Sequence, residues 1–277
     1  MSVSDVATTL PGDSLPVQAQ WLWDAMFFIW KEAQACIFAA LFFASVLFVP
    51  HGGIGPLPRY DVLLLIALLI QGWMLWSRRE TLDELKAICL FHGLGILLEL
   101  FKTSDAIQSW SYPEAAYTKF FGVPLFSGFM YAAVGSYIIQ AWRLLSLRIE
   151  HHPPHWLAGG IAGALYLNFF THHYIGDFRW YLACAALGLY ARSRVIFRPY
   201  KRDLCMPLPL ALVLIGFFIW LAENAGTFFG LWAYPHQLGA WAAVHVSKWS
   251  AWSLLVLMSF TIVVQLKHIK ASVNVPR

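Results

Sequence analysis

The amino-acid sequence predicts an all-α fold, a polytopic transmembrane helical bundle of about eight spans. Three observations carry this. Of the 277 residues, 59% are hydrophobic and 12% charged, whereas a soluble domain carries about 25% charged residues to keep its surface wetted. Apolar runs recur at close to the roughly 20 residues that a helix needs to cross a ~30 Å hydrocarbon core. Lys and Arg concentrate in alternate connections between those runs.

Taken in order, residues 1–32 read as a cytoplasmic and interfacial N-terminal segment. Residues 1–20 contain Asp5 and Asp13, no Lys or Arg and no apolar stretch, which is unlike a secretory signal. Trp21, Trp23, Phe27, Phe28 and Trp30 then alternate with Asp24, Lys31 and Glu32, a mixture suited to the headgroup layer. A transmembrane domain over 33–266 follows. Its spans are expected at 33–50, 61–77, 84–103, 123–145, 156–173, 178–197, 208–229 and 244–266, with a cytoplasmic tail over 267–277. The sixth is the weakest, bounded by Arg179 and interrupted by Arg192 and Arg194, which would have to snorkel. In the fifth, Gly159, Gly160 and Gly163 suit close helix packing.

Thirteen of the nineteen Lys and Arg residues follow even-numbered spans. The positive-inside rule then puts both termini on the cytoplasmic side of the inner cell membrane. The net charge of +4 sits in these loops, so it sets topology and does not indicate nucleic-acid binding. Cys36, Cys89, Cys184 and Cys205 are solitary, with no C-x-x-C spacing, which argues against a disulfide framework or zinc ribbon. The residues name no cofactor. The partners expected are the bilayer and a lipid-like or small-molecule ligand.

One pattern occurs twice. Glu99 and Thr103 precede Trp110-Ser111-Tyr112-Pro113, and Glu223 and Thr227 precede Trp232-Ala233-Tyr234-Pro235. Ser127 and Ser247 begin the spans after each copy. Both copies end spans of the same orientation, which suggests a 4+4 duplication over 33–148 and 156–266, related by an axis along the membrane normal.

Ionisable groups in spans cost about 2.5–3.5 kcal/mol each on insertion scales and usually face the protein interior. Here they collect toward one end. His92, Glu99 and Lys102 follow one face of the third span. Glu223, Asn224 and Thr227 close the seventh. Asn168, His172 and His173, followed by Asp177, close the fifth, and Ser247 and Lys248 open the eighth. Glu99, Lys102, His172, His173, Glu223 and Lys248 are the candidate catalytic groups. The candidate binding groups are His92, Thr103, Trp110, Tyr112, Asn168, Asp177, Asn224, Thr227, Trp232, Tyr234 and Ser247. A Glu99–Lys102 ion pair at i, i+3, and Glu223 bonding a neighbouring helix, are the structural alternatives. On a helix His172 and His173 diverge by about 100° and cannot share one ion. A metal site with Asp177 or another carboxylate, which would require the helix to end there, is the minority reading, and no metal ligand is assigned. His151-His152-Pro-Pro-His155 reads as a segment facing the headgroups.

At Glu99–Thr103, Trp110–Glu114, Gly122–Tyr131, Asn168–His173 and Ala222–Tyr234 the chain resembles a bacterial integral-membrane family of unknown function, the YoaT-like family. That resemblance implies a multi-pass membrane fold and no established activity. A fainter likeness, through Glu99, Tyr112, Gly122 and Pro124, is to membrane carotenoid cyclases and hydratases. The chain departs from them by placing Lys102 beside Glu99 and by lacking a second acidic residue after Pro124.

The function expected is that of a membrane-embedded enzyme acting on a lipid-like or isoprenoid substrate in a polar-ended pocket of the extracytoplasmic half. Glu99 or Glu223 would donate the proton and His172 or His173 would relay it. A proton-coupled or small-solute transporter, and a structural accessory protein, are the alternatives.

Overall fold

The structure, a computed structural model, describes residues 17–273. The reading of the extreme N-terminus and of residues 274–277 lies outside these. Among the described residues the chain forms α1 (Val17–Ala35), α2 (Ile37–Phe48), α3 (Arg59–Trp76), α4 (Leu82–Lys102), β1 (Lys119–Phe120), β2 (Val123–Pro124), α5 (Ser127–Leu144), β3 (Arg148–Glu150), α6 (His155–Thr171), α7 (Arg179–Tyr190), β4 (Arg194–Phe197), β5 (Leu204–Pro207), α8 (Leu208–Phe228) and α9 (Ser247–Val273).

Local chemistry sets most of the starts. Pro58, Pro154 and Pro207 immediately precede α3, α6 and α8, where a missing N–H costs nothing. Thr81 and Glu84 form a reciprocal capping box at the start of α4, each supplying an acceptor to an otherwise orphaned backbone donor. Phe121 and Gly122, both at positive φ (47° and 84°), make the two-residue turn of the β1–β2 hairpin. A right-handed pair of strands requires this geometry at such a turn. The hairpin delivers the chain to Ser127, where α5 begins.

Among the described residues three helices are long and apolar enough to cross a membrane: α3, α8, and α9 over Ser247–Ile269. The α1–α2 pair, bent by 66° at Cys36, makes a fourth if it is one broken span. Of the other helices, α4 has 21 residues but carries Asp83, Glu84, Lys86, Glu99 and Lys102.

Two expectations are corrected. The predicted sixth span, 178–197, is helical only over Arg179–Tyr190, a rise of about 18 Å. Its remainder enters a three-stranded antiparallel sheet ordered β3-β4-β5. Arg194 therefore lies on a strand, opposite Glu150 and Pro207, and does not snorkel from a helix end. Helix α9 runs on through Val273, into the stretch read as the tail. The predicted glycine seam is not a contact. A Cβ at Gly160 or Gly163 would meet nothing within 4 Å, and one at Gly159 would touch only the Gln265 side chain at 3.5 Å.

The close approaches lie elsewhere. A Cβ on Gly95 would fall 2.5 Å from the Tyr131 ring, and one on Gly135 would fall 2.2 Å from Phe91, across the α4–α5 interface. A Cβ on Gly216 would stand 2.7 Å from the backbone of Ser253 between α8 and α9. Small residues here let the helix pairs carrying the two glutamates come together.

Helix ends gather at two poles. At one, buried Arg59 donates to Glu114 (3.1 Å) and to the carbonyls of Val46 (3.2 Å) and Phe229 (3.0 Å). These bonds tie together the ends of α2, α3 and α8 and the segment after α4. At the other pole Arg143 bonds Glu84 (3.2 Å), Ser193 bonds the His151 carbonyl (2.9 Å), and Arg202 of the sheet region pairs with Asp24 of α1. His152, His155 and His268 stack there, with neighbouring ring centroids 4.9 and 3.9 Å apart. The His-Pro-Pro-His segment thus packs on α9.

Candidate functional site: two glutamates at the head of an apolar cavity

Both copies of the repeated pattern fold in the same way. Each glutamate lies near the end of its helix, and the chain turns back so that the tyrosine of W-x-Y-P meets it. Glu99, 2% exposed, accepts from Trp110 Nε1 (2.8 Å) and Tyr112 (2.9 Å) on Oε2, and from Tyr131 of α5 (2.8 Å) on Oε1. Glu223, 4% exposed, accepts from Tyr234 (2.5 Å) on Oε1 and from Trp252 of α9 (2.7 Å) on Oε2. A carboxylate taken out of water needs such donors, since its desolvation is otherwise uncompensated. In both cases the donors include the motif tyrosine and an aromatic from the following helix; Glu99 has the motif tryptophan as well.

The two copies also join each other. Ser111 and Ala233, the middle residues of the two motifs, exchange both backbone hydrogen bonds at 2.9 Å. Trp110 packs edge-on against Tyr234, with centroids 6.1 Å apart, and Tyr131 meets Trp252 at 6.5 Å. The two tryptophans play different parts. Trp110 bonds Glu99, whereas Trp232 lies against Gly226, where a Cβ would fall 2.5 Å from its ring.

These groups form one end of a cavity of about 800 Å³, within the ~300–1,000 Å³ range of small-molecule pockets. Glu99, Lys102, Tyr112 and His172 line it, and so do Glu223, Trp232, Tyr234 and Lys248. Away from this head the walls are apolar, running past Phe129 and Leu255 to Leu145, Val195, Phe197 and Met206 beside the sheet. The one carboxylate along them, Glu32, is held by the Tyr137 hydroxyl at 2.9 Å. Ile29 of α1 and Phe218 of α8, each 67% exposed, are among the lining residues. Apolar side chains thus border the cavity where it meets the protein surface.

Lys102 does not pair with Glu99. Its ammonium lies 2.8 Å from His173 Nε2 and 3.4 Å from His172 Nε2. Helix α6 stops at Thr171, so the two imidazoles do not diverge as on a continuing helix. Their centroids are 4.0 Å apart. His172 Nδ1 donates to the Asn168 carbonyl (2.8 Å), which leaves Nε2 as an acceptor toward Lys102. Lys248 lies over the faces of Tyr234 (4.7 Å) and Trp110 (5.6 Å).

Several predicted binding residues serve the scaffold instead. His92 packs on Phe129 (4.7 Å) and does not line the cavity. The Thr103 hydroxyl bonds the Glu99 carbonyl (2.9 Å). Asn224 accepts the Val244 N–H (2.9 Å), Thr227 accepts Trp241 Nε1 (3.2 Å), and Ser247 bonds His245 (2.8 Å). These three hold the approach to α9. Asn168 donates to Asp177 (3.2 Å) and accepts the Phe178 N–H (3.1 Å), closing the α6–α7 turn. Partial burial tends to raise the Asp177 carboxyl. The Arg179 N–H, the Asn168 amide and the Arg179 charge outweigh it and hold Asp177 below the ordinary range. Among the described residues no three His, Cys, Asp or Glu side chains converge to hold a metal ion.

Tyr131 and Trp252 were missed as partners of the glutamates, although Tyr131 stands one turn after Ser127 and Trp252 five residues after Ser247. An aromatic with a polar atom in the first turns of each span was the available signal. Arg179, read only as a span boundary, also reaches the cavity.

Fold and site together define a mostly helical protein, with several helices apolar enough for a membrane and a deep cavity that is polar at one end. The chain belongs to the family described as protein of unknown function (DUF817), which matches residues 24–260. It is similar to the uncharacterized protein YoaT of Bacillus subtilis (strain 168), 49% identical over 243 residues, covering 88% of this chain and 91% of that protein. No solved structure matches it.

Proposed function

We propose that this chain is a multi-pass inner-membrane enzyme. In this reading it takes a lipid-like molecule sideways from the bilayer and carries out acid–base chemistry on the polar end of that molecule with Glu99 and Glu223. The observation that carries the reading is the cavity, whose lining is polar at one end, around the two glutamates, and apolar along its other walls. A long apolar chain is at home against those walls, and its functional end then meets the carboxylates. General acid–base catalysis needs such a group within hydrogen-bond reach of the reacting atom.

The topology proposed with it has about eight passes, with α1 interfacial and α7 as a short sixth passage. Both termini and the basic sheet face the cytoplasm. The gathering of successive helix ends at alternate poles supports this. The reciprocal Ser111–Ala233 bond pair and the matched tyrosine contacts support duplication of a four-helix unit about an axis near that bridge. A carrier for a polar solute needs polar groups along its whole path. The apolar walls toward Val195 and Met206 favour the enzyme.

Lipid mass spectrometry on the purified protein tests the proposal. The wild type, Glu99→Gln and Glu223→Gln should all fold, and the Gln variants should retain an amphiphile that the wild type converts to a related mass. Identical bound species in all three, or none in any, overturns the enzymatic reading.

A further inference from the structure

We infer that the molecule held in this cavity is an anionic amphiphile, with a phosphate or carboxylate head between Lys102 and Lys248 and a long apolar tail. This rests on the lipid-pocket reading above and adds the chemical class of the ligand. The reason lies in which charges at the cavity head are already satisfied. Glu99 has three donors and Glu223 two, and Arg179 is paired with Asp177 at 3.0 Å. Glu32, further along the wall, is held by Tyr137.

The two lysines differ from these. Among the described residues neither Lys102 nor Lys248 forms an ion pair, although Lys102 is only 5% exposed. Lys102 has imidazole nitrogens as its neighbours, and Lys248 has the faces of Tyr234 and Trp110. Imidazole and ring faces orient an ammonium group but do not neutralise it. The carboxylates that act on them, Glu223 on Lys248 and Asp177 on Lys102, do so without direct contact. A desolvated cation with no carboxylate in contact is costly, and an anion entering between these two lysines relieves that cost. A cationic head would find the glutamates already occupied by neutral donors.

The tail follows from the walls. Away from the polar head they are apolar, from Phe129 and Leu255 to Leu145, Val195, Phe197 and Met206, and a long hydrocarbon chain is at home against them.

The test uses full-length protein in phosphatidylcholine nanodiscs. It is titrated with an alkyl phosphate, the alcohol of the same chain length, the corresponding alkyltrimethylammonium, and inorganic phosphate alone. Native mass spectrometry and quenching of tryptophan fluorescence report binding. The alkyl phosphate should bind about tenfold or more tighter than the alcohol, as expected for a charge-assisted contact, and the ammonium compound and free phosphate should bind least. Lys102→Gln with Lys248→Gln should erase the preference for phosphate over alcohol, and the paired Arg substitutions should keep it. Equal binding of phosphate and alcohol by the wild type overturns the anionic head while leaving the lipid pocket intact. Equal binding of free and alkyl phosphate overturns the tail. No binding by any amphiphile overturns this inference and the lipid-pocket reading together. Because the wild-type comparison decides the head group, the inference stays testable even if the Gln double variant fails to fold.

Discussion

Replacing Glu99 by Gln and by Ala should give two distinct outcomes, and the difference can be worked out from the donors around it. Trp110 Nε1–H and the Tyr112 hydroxyl both point at Oε2, and the Tyr131 hydroxyl points at Oε1. An indole N–H can only donate, whereas a phenol can donate or accept. In Glu99→Gln the amide oxygen must therefore keep the Oε2 position and the NH2 group must take Oε1, with Tyr131 turning from donor to acceptor. All three contacts survive, and the loss is the charge assistance alone. In Glu99→Ala three donors lose their acceptor. Interhelical hydrogen bonds in membrane proteins average about 0.6 kcal/mol and reach about 1.7, so three amount to about 2–5 kcal/mol. At about 2–4 °C per kcal/mol for a chain of 150–250 residues, Glu99→Ala should melt on the order of 4–20 °C below wild type. Glu99→Gln should stay within a few degrees of it. Thermal unfolding in detergent, followed by size-exclusion chromatography with fluorescence detection, reads both. If Ala and Gln are equally stable, the carboxylate does not anchor these three side chains and the account of the site head fails.

Gly216→Ala should destabilise by about 1–3 kcal/mol, the usual cost of overpacking, because the new methyl meets Ser253 backbone at 2.7 Å. Gly163→Ala, which points into open space, should be neutral or stabilising by up to about 1 kcal/mol. The same melting assay compares them, and the reverse ranking would contradict the helix packing described. In a background without the four native cysteines, Ser111→Cys with Ala233→Cys should form a disulfide, seen as a shift on a non-reducing gel. A bridge exchanging both backbone bonds holds its Cα atoms about 5.5 Å apart, within disulfide range. Exposed Cys205 on β5 should react with a membrane-impermeant maleimide only after permeabilisation, and a cysteine at exposed Tyr117 should react without it. The opposite pattern inverts the proposed topology. Hydrogen bonding from Arg198, then the Arg148 charge, holds the Asp203 carboxyl below its ordinary value. The stability it adds is present above about pH 4, the unfolded value, and is lost as pH falls through the lower folded value. Asp203→Asn should remove that part of the acid dependence in a pH-resolved melt.

Much of this protein is legible in one dimension. Low charge and apolar runs placed helices close to where α2, α3, α4, α5, α6, α8 and α9 lie, because burial in lipid or in a helical core imposes the same local demand on composition. The duplicated Glu and W-x-Y-P residues stood out because each copy closes on itself within about a dozen positions, so sequence proximity and spatial proximity coincide. Hydropathy could not separate the end of α7 from strand β4. Val195, Ile196 and Phe197 are as apolar on a strand as in a span, and only pairing with Arg148–Glu150 and Leu204–Pro207 decides between them. The glycines show the same limit: Gly159, Gly160 and Gly163 have the spacing of a contact, but the rotation of α6 turns Gly160 and Gly163 away from every neighbour.

By itself, then, the sequence determined the helical, apolar class of the chain and the two glutamates with their tyrosines, since each depends on interactions within a short stretch. The tertiary structure decided that Lys102 faces two histidines and not Glu99, that Tyr131 and Trp252 complete the carboxylate cages, and that both cages open onto one cavity. Those outcomes depend on how each helix is rotated about its axis and on which helix lies beside it. Long-range packing sets both, and no local pattern of residues encodes them.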